Sequence, residues 1–122
     1  MENRVFGSVE FNSGWETSIN ITYKGKEYGI TVSADAYYEK DLITKDQEEA
    51  YSEFLEKKQF IIELVENKID EIGGETIYTP TLLLLKRNGD YALIFDDLSD
   101  PEEGVAVTIK PDMKVLSVDQ YL

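Results

Sequence analysis

The chain contains neither cysteine nor histidine. Without cysteine there is no disulfide, no thiolate nucleophile and no thiolate metal ligand. Without histidine it lacks the one side chain that titrates unperturbed near neutrality, and with it most catalytic triads and most zinc or iron sites. Basic residues are scarce too: 12 Lys and Arg stand against 25 Asp and Glu, a net charge of −13. That balance repels nucleic acid and anionic lipid, because binding phosphate needs a surplus of Lys and Arg. No apolar run approaches the roughly 20 residues that cross a bilayer. The opening Met1-Glu2-Asn3-Arg4 is not a basic leader and no apolar leader core follows it. These absences lead us to expect a cytoplasmic protein that engages neither nucleic acid nor membrane.

What is present is enough for a core. The 122 residues are 42% hydrophobic and include eight Tyr, five Phe and one Trp, so the charge does not imply disorder. The length fits a single domain spanning 1–122. In the first third, Val5, Gly7, Val9 and Phe11 alternate with Arg4, Phe6, Ser8 and Glu10, as in a half-buried strand. Asn12-Ser13-Gly14 breaks the run. Alternation resumes at Ile19, Ile21 and Tyr23, turns at Lys24-Gly25, and continues through Tyr28, Ile30, Val32 and Ala34. The pattern predicts a three-stranded antiparallel meander.

Residues 35–43 lose the period. Thr44 and Gln47 then have the spacing of a capping box, in which each side chain satisfies the other's free backbone N–H. Ala50, Tyr51, Phe54, Leu55, Ile61, Ile62, Val65, Ile69 and Ile72 follow as one apolar stripe, and Gly73-Gly74 ends it. A helix of about 28 residues would be roughly 42 Å long, which invites a bend or break near Lys57-Lys58-Gln59. Strands return from Thr76 to Lys86, where Pro80 suits an edge or a bulge. Asn88-Gly89 before Tyr91–Phe95 marks a hairpin. Val105, Val107 and Ile109 alternate, and Val115, Leu116 and Val118 make a last strand. The order βββ-α-ββββ predicts an α+β fold: an antiparallel β-sheet of about six or seven strands packed on one long amphipathic helix.

Little in the sequence promises catalysis. Twenty-five acids make chance carboxylate pairs inevitable, Ser and Thr lack an activating His, and no phosphate-binding glycine loop is present. No enzyme activity, catalytic residue, cofactor or dedicated metal ligand is expected. The densest cluster is Asp96, Asp97, Asp100, Glu102 and Glu103, read as an acidic loop whose geometry Asp100-Pro101 sets. It lacks the glycine and the terminal Glu of a calcium-binding helix–loop–helix, although its oxygens suit hard cations. The acidic face of the helix, with Glu48, Glu49, Glu53 and Glu56, reads as a solubilising surface or as an electrostatic lure for a basic partner. Trp15 either closes the edge of the core or anchors an interface, and Tyr38 poses the same choice. The candidate partner contacts are therefore Trp15, Tyr38, Glu48, Glu49, Glu53, Glu56, Asp96, Asp97, Asp100, Glu102 and Glu103.

Several segments carry a resemblance. Gly14-Trp15 precedes a strand, Gly25-Lys26-Glu27-Tyr28 sits at a hairpin, and an acidic helix start runs from Gln47 to Leu55. Tyr91-Ala92-Leu93-Ile94-Phe95-Asp96 leads to Asp100-Pro101-Glu102-Glu103-Gly104-Val105-Ala106-Val107, and Val115 and Val118 precede Asp119-Gln120-Tyr121. From about Trp15 onward the chain resembles a family of small acidic bacterial proteins with a domain of unknown function. The Asp-Pro-Glu-x-Gly stretch is its most specific element, and Glu103 stands where the family typically has His. The resemblance implies a likeness to immunity proteins that neutralise bacterial toxins. The functional expectation is a non-enzymatic module that binds a basic protein such as a toxin domain. The alternative is a cation- or small-ligand-binding accessory protein using the acidic segment 96–103.

Overall fold

A computed structural model describes residues 1–100 and 102–122. Two sheets and three helices follow the order β1 (Glu2–Asn3), β2 (Gly7–Ser8), β3 (Glu10–Phe11), β4 (Trp15–Tyr23), β5 (Lys26–Ala34), α1 (Lys45–Glu56), α2 (Lys58–Ile72), β6 (Tyr78–Leu85), β7 (Tyr91–Asp97), β8 (Asp100–Lys110), β9 (Val115–Ser117) and α3 (Val118–Tyr121). The mixed α+β class is as expected. The main sheet has seven strands in the order β3-β4-β5-β6-β7-β8-β9, and β1 and β2 form a separate two-stranded sheet.

Three corrections concern the larger architecture. The sheet is not wholly antiparallel: β5 and β6 run parallel, from Thr31↔Leu82 to Ala34↔Leu85, because both helices intervene and carry the chain back to the starting end. The single long helix is two. Lys57, at φ −112° and ψ 21°, ends α1 and opens α2. Positions 57 and 58, where a continuous stripe calls for apolar side chains, are both lysines, and the break frees Lys58 to reach the Asn20 carbonyl at 3.3 Å. It also keeps the helices over a sheet whose nine-residue strands are only about 30 Å long. Third, residues 4–11 do not form one strand. Asn3 Oδ1 accepts from the Val5 and Phe6 N–H groups and, with Gly7 at φ +74°, reverses the chain. The buried residues there are therefore Phe6 and Val9, with Phe6 stacked on Tyr51 at 4.4 Å.

Elsewhere the local chemistry acts as read. The Thr44–Gln47 capping box forms in both directions. Lys24 and Gly25 both take positive φ at the β4–β5 turn. The β6–β7 ladder shifts register between Pro80 and Leu82, at a point beyond the β5 pairing, so the missing proline N–H breaks no ladder bond. Ala50, Tyr51, Phe54, Ile61, Ile62, Val65 and Ile69 pack on the sheet face carrying Ile21, Val32, Leu83, Leu93, Phe95 and Val107. Leu55 and Ile72, expected in the stripe, are about two-fifths exposed. On the other face, Ala92, Ile94 and Ala106 are covered by Tyr121 of α3, so the final strand ends at Ser117 and Val118 begins a capped turn of helix.

Candidate functional site: an acidic recess between the first helix and the β6–β7 turn

The β6–β7 turn is fastened to the start of α1. Thr44 Oγ1 donates to the Arg87 carbonyl at 2.8 Å, and Arg87 Nη1 donates to the carbonyls of Leu42 (2.8 Å) and Asp35 (3.2 Å). Gly89, at φ +93°, passes so close to α1 that a Cβ there would lie 3.0 Å from the Asp46 carbonyl oxygen. Only glycine meets both conditions without strain. Asn88 closes the turn by accepting the Asp90 N–H at 2.9 Å.

Beside this junction lies a recess of about 230 Å³ lined by Asp46, Glu49, Ala50 and Glu53 of α1, Asn88, Gly89 and Asp90 of the turn, and Lys110 at the end of β8. Four acidic residues and one lysine are among those that line it. Lys110 is paired with Glu53 at 2.8 Å. Among the described residues, Asp46, Glu49 and Asp90 form no ion pair. Tyr91, directly across the ladder from Lys110, is fully buried, and its hydroxyl has no hydrogen-bond partner. Burial, and after it the Glu53 carboxylate, holds that phenol above the ordinary tyrosine range. The arrangement is suited to holding a cation of side-chain size.

The expected contact residues separate into groups. Glu49 and Glu53 line the recess, and Glu56 is exposed near the end of α1. Glu48 faces the N-terminal segment instead, accepting from Asn3 Nδ2 at 3.0 Å and Arg4 at 3.2 Å. Asp96, Asp97, Asp100, Glu102 and Glu103 lie at the opposite end of β7, roughly 20 Å from the recess at about 3.4 Å per strand residue. That segment is a tight turn within the β7–β8 hairpin rather than an open loop, since β7 runs to Asp97 and β8 starts at Asp100. Pro101, expected to set its geometry, lies outside the described residues. Ser99 donates to Asp97 Oδ1 through its hydroxyl (2.7 Å) and its N–H (2.8 Å), holding that carboxyl below the usual carboxylate range. Among the described residues no three carboxylates are placed to hold a metal ion.

Trp15 is 5% exposed, and its Nε1 donates to the Asp41 carbonyl at 2.8 Å. It is a core residue, which corrects its place among the interface anchors. Tyr38 is 64% exposed, and Tyr37 and Leu42 on the same connection are exposed as well. Arg87 ties that connection to the turn that forms the recess. Asp46, Asp90 and Lys110 were missed as site residues: nothing in the sequence links positions so far apart, and Asn88-Gly89-Asp90 reads only as a turn. No helix among the described residues is long and apolar enough to cross a membrane. Compared with protein-family models, curated proteins and solved structures, the chain matches none.

Proposed function

We propose that this chain is a non-enzymatic binding module whose acidic recess receives Lys or Arg side chains of a basic protein, in the manner of an immunity protein neutralising a toxin domain. The observation that carries this reading is the imbalance around the recess: four acidic residues and a single lysine line it, in a chain of net charge −13. A field of one sign over a partly enclosed surface steers an oppositely charged partner and raises its association rate. The exposed Tyr37 and Tyr38 supply aromatic area of the kind enriched at interface centres. The family resemblance of the Asp-Pro-Glu-x-Gly stretch points the same way.

The test is affinity capture from the source cell with the native chain and with the Asp46→Asn/Glu49→Gln/Asp90→Asn variant. A basic partner should be retained by the native chain, be released as salt rises, and be lost from the variant while thermal unfolding stays unchanged. Co-expression should also relieve any toxicity of that partner. Retention that ignores both salt and the triple substitution would overturn the proposal.

A further inference from the structure

At the end of β6 opposite the acidic recess, the β4–β5 turn, the last turns of α2 and the start of β6 border a hollow of about 280 Å³. Tyr23, Tyr28 and Tyr78 line it together with Ile69 and Ile77, so its walls are aromatic and aliphatic. Glycine turns bring these residues together. Gly25, at φ +77°, turns β4 into β5, and Gly73 and Gly74, at +73° and +77°, lead the chain out of α2 toward Thr76 and Ile77. The Leu98 N–H donates to the Ile77 carbonyl at 3.1 Å and so holds that backbone, while the Ile77 side chain is 65% exposed. Tyr23 and Tyr28 stand edge to face, their centroids 6.3 Å apart and their planes at 68°.

Two features separate this hollow from a packing gap. The first is Tyr23, which is 3% exposed and whose hydroxyl forms no hydrogen bond with a described residue. The unpartnered hydroxyls sealed from water are those of Tyr91 and Tyr121. That of Tyr23 is not sealed, and for a residue so buried the opening is the hollow it lines. The second is charge. Two lysines and no acidic residue line the hollow, in a chain with 25 Asp and Glu. Lys24 is committed: its ammonium pairs with Asp70 and its N–H donates to Glu66 at 2.7 Å, so these two neighbouring carboxylates are engaged as well. Lys26 forms no ion pair among the described residues, and its ammonium lies 5.4 Å from the centroid of the Tyr28 ring. We infer that the hollow binds a small aromatic acid, its ring among Tyr23, Tyr28 and Ile77 and its carboxylate on Lys26. The lining hydroxyls and the Lys26 ammonium can all donate hydrogen bonds, which suits an acceptor-rich anion. Edge-to-face and offset ring pairs gain beyond their buried area, which favours a ring over an aliphatic body. Ligand pockets begin at roughly 300 Å³, so the volume admits one ring or two fused rings.

Titration of the native chain with indole carboxylate, read from backbone-amide NMR shifts, tests this. The shifts should saturate with a Kd below about 1 mM and cluster at residues 23–28 and 69–78. Indole carboxamide, the same shape without the charge, should bind about three- to fivefold more weakly, the worth of an exposed ion pair. Cyclohexanecarboxylate, which keeps the charge and loses the ring, should bind about three- to tenfold more weakly. Lys26→Gln should abolish the difference between carboxylate and carboxamide and leave carboxamide binding as it was, a coupling that loss of packing does not produce. Ile77→Ser should weaken both. The two substituted positions are exposed, so thermal unfolding should stay unchanged. No saturable shift up to about 10 mM, equal affinity for the carboxylate, the carboxamide and the aliphatic acid, or a Lys26→Gln variant that still prefers the carboxylate would overturn the inference. The Asp46→Asn/Glu49→Gln/Asp90→Asn variant should bind the acid as the native chain does, which keeps this outcome separate from that of the recess.

Discussion

Gln47 donates through Nε2 to the Leu85 carbonyl at 3.1 Å, where the end of β6 meets the first turn of α1. The same amide donates to Asp35 O at 3.0 Å, and its Oε1 accepts the Thr44 N–H at 2.9 Å. One fully buried side chain thus joins the exit of β5, the exit of β6 and the start of the helix that walls the recess. Gln47→Met should leave the Thr44 N–H without a partner and take one of two donors from each carbonyl, Leu85 O keeping the Asp35 N–H and Asp35 O keeping Arg87, at a cost of about 1–3 kcal/mol. Urea unfolding measures this directly, and a loss below about 1 kcal/mol would mean that water takes over these bonds.

Gln47 also shows how far the sequence could be read. Its spacing from Thr44 announced the capping box, because that signal is local and both partners lie within one turn. Its bonds to Asp35 and Leu85 were invisible, since they depend on the parallel pairing of β5 with β6. The strands on either side of the helices were legible as strands, but not their mutual direction. Of the recess, the carboxylates on α1 were legible as an acidic face. Asp90 and Lys110 were not, because only the folded ladder brings them beside Glu53. The acidic run 96–103 stood out by density alone, yet its carboxylates close a hairpin turn at the far end of β7.

The turn that seats against α1 should be intolerant of a side chain. Gly89→Ala adds a Cβ 3.0 Å from the Asp46 carbonyl at a φ of +93°. Strain at such a position is of order 1–3 kcal/mol. The variant should unfold at lower denaturant and, by displacing Asp46, weaken partner retention. Gly25→Ala, at φ +77° with nothing nearby, should carry backbone strain alone and leave retention intact.

Trp15 offers an internal fluorescent reporter. With 5% exposure and its indole N–H bonded to Asp41 O, its emission should be blue-shifted and poorly quenched by acrylamide in the native state, and should shift red on unfolding. Partner binding at the recess should leave it nearly unchanged. A large spectral change on binding would return Trp15 to the interface. Trp15→Phe, which orphans the Asp41 carbonyl, should cost about 1–3 kcal/mol.

Alkaline pH should destabilise the fold through its buried phenols. Burial, then the Asp70 and Glu66 carboxylates and Tyr28, push Tyr23 up to about 12. Tyr51, Tyr91 and Tyr121 are also raised, each mainly by burial. A phenol whose folded value lies above its unfolded value of about 10 keeps its proton in the native state while the unfolded chain gives it up. Stability from this source is complete below pH 10 and falls as pH climbs from there toward 12, with the sign ∂ΔG/∂pH negative. Denaturant midpoints measured across that interval should decline, and Tyr23→Phe should flatten the slope. A flat profile in the native chain would show that the phenols ionise without unfolding.

Tyr91 and Tyr121 invert the usual cost of truncation. Their hydroxyls are buried without hydrogen-bond partners, and an unsatisfied buried polar group costs roughly 1–3 kcal/mol. Removing the oxygen leaves the ring contacts intact: Phe54 still packs edge-on against position 91 at 6.2 Å, and Lys86 Nζ still lies 4.1 Å from the centroid of ring 121. Tyr91→Phe and Tyr121→Phe should therefore be neutral or stabilising by up to about 1 kcal/mol, whereas Phe54→Ala should lose about 3–5 kcal/mol to the cavity it opens. Thermal unfolding separates these outcomes. A clear loss of stability in Tyr91→Phe would place an ordered water on that hydroxyl, and with it a solvent path from the recess to the core.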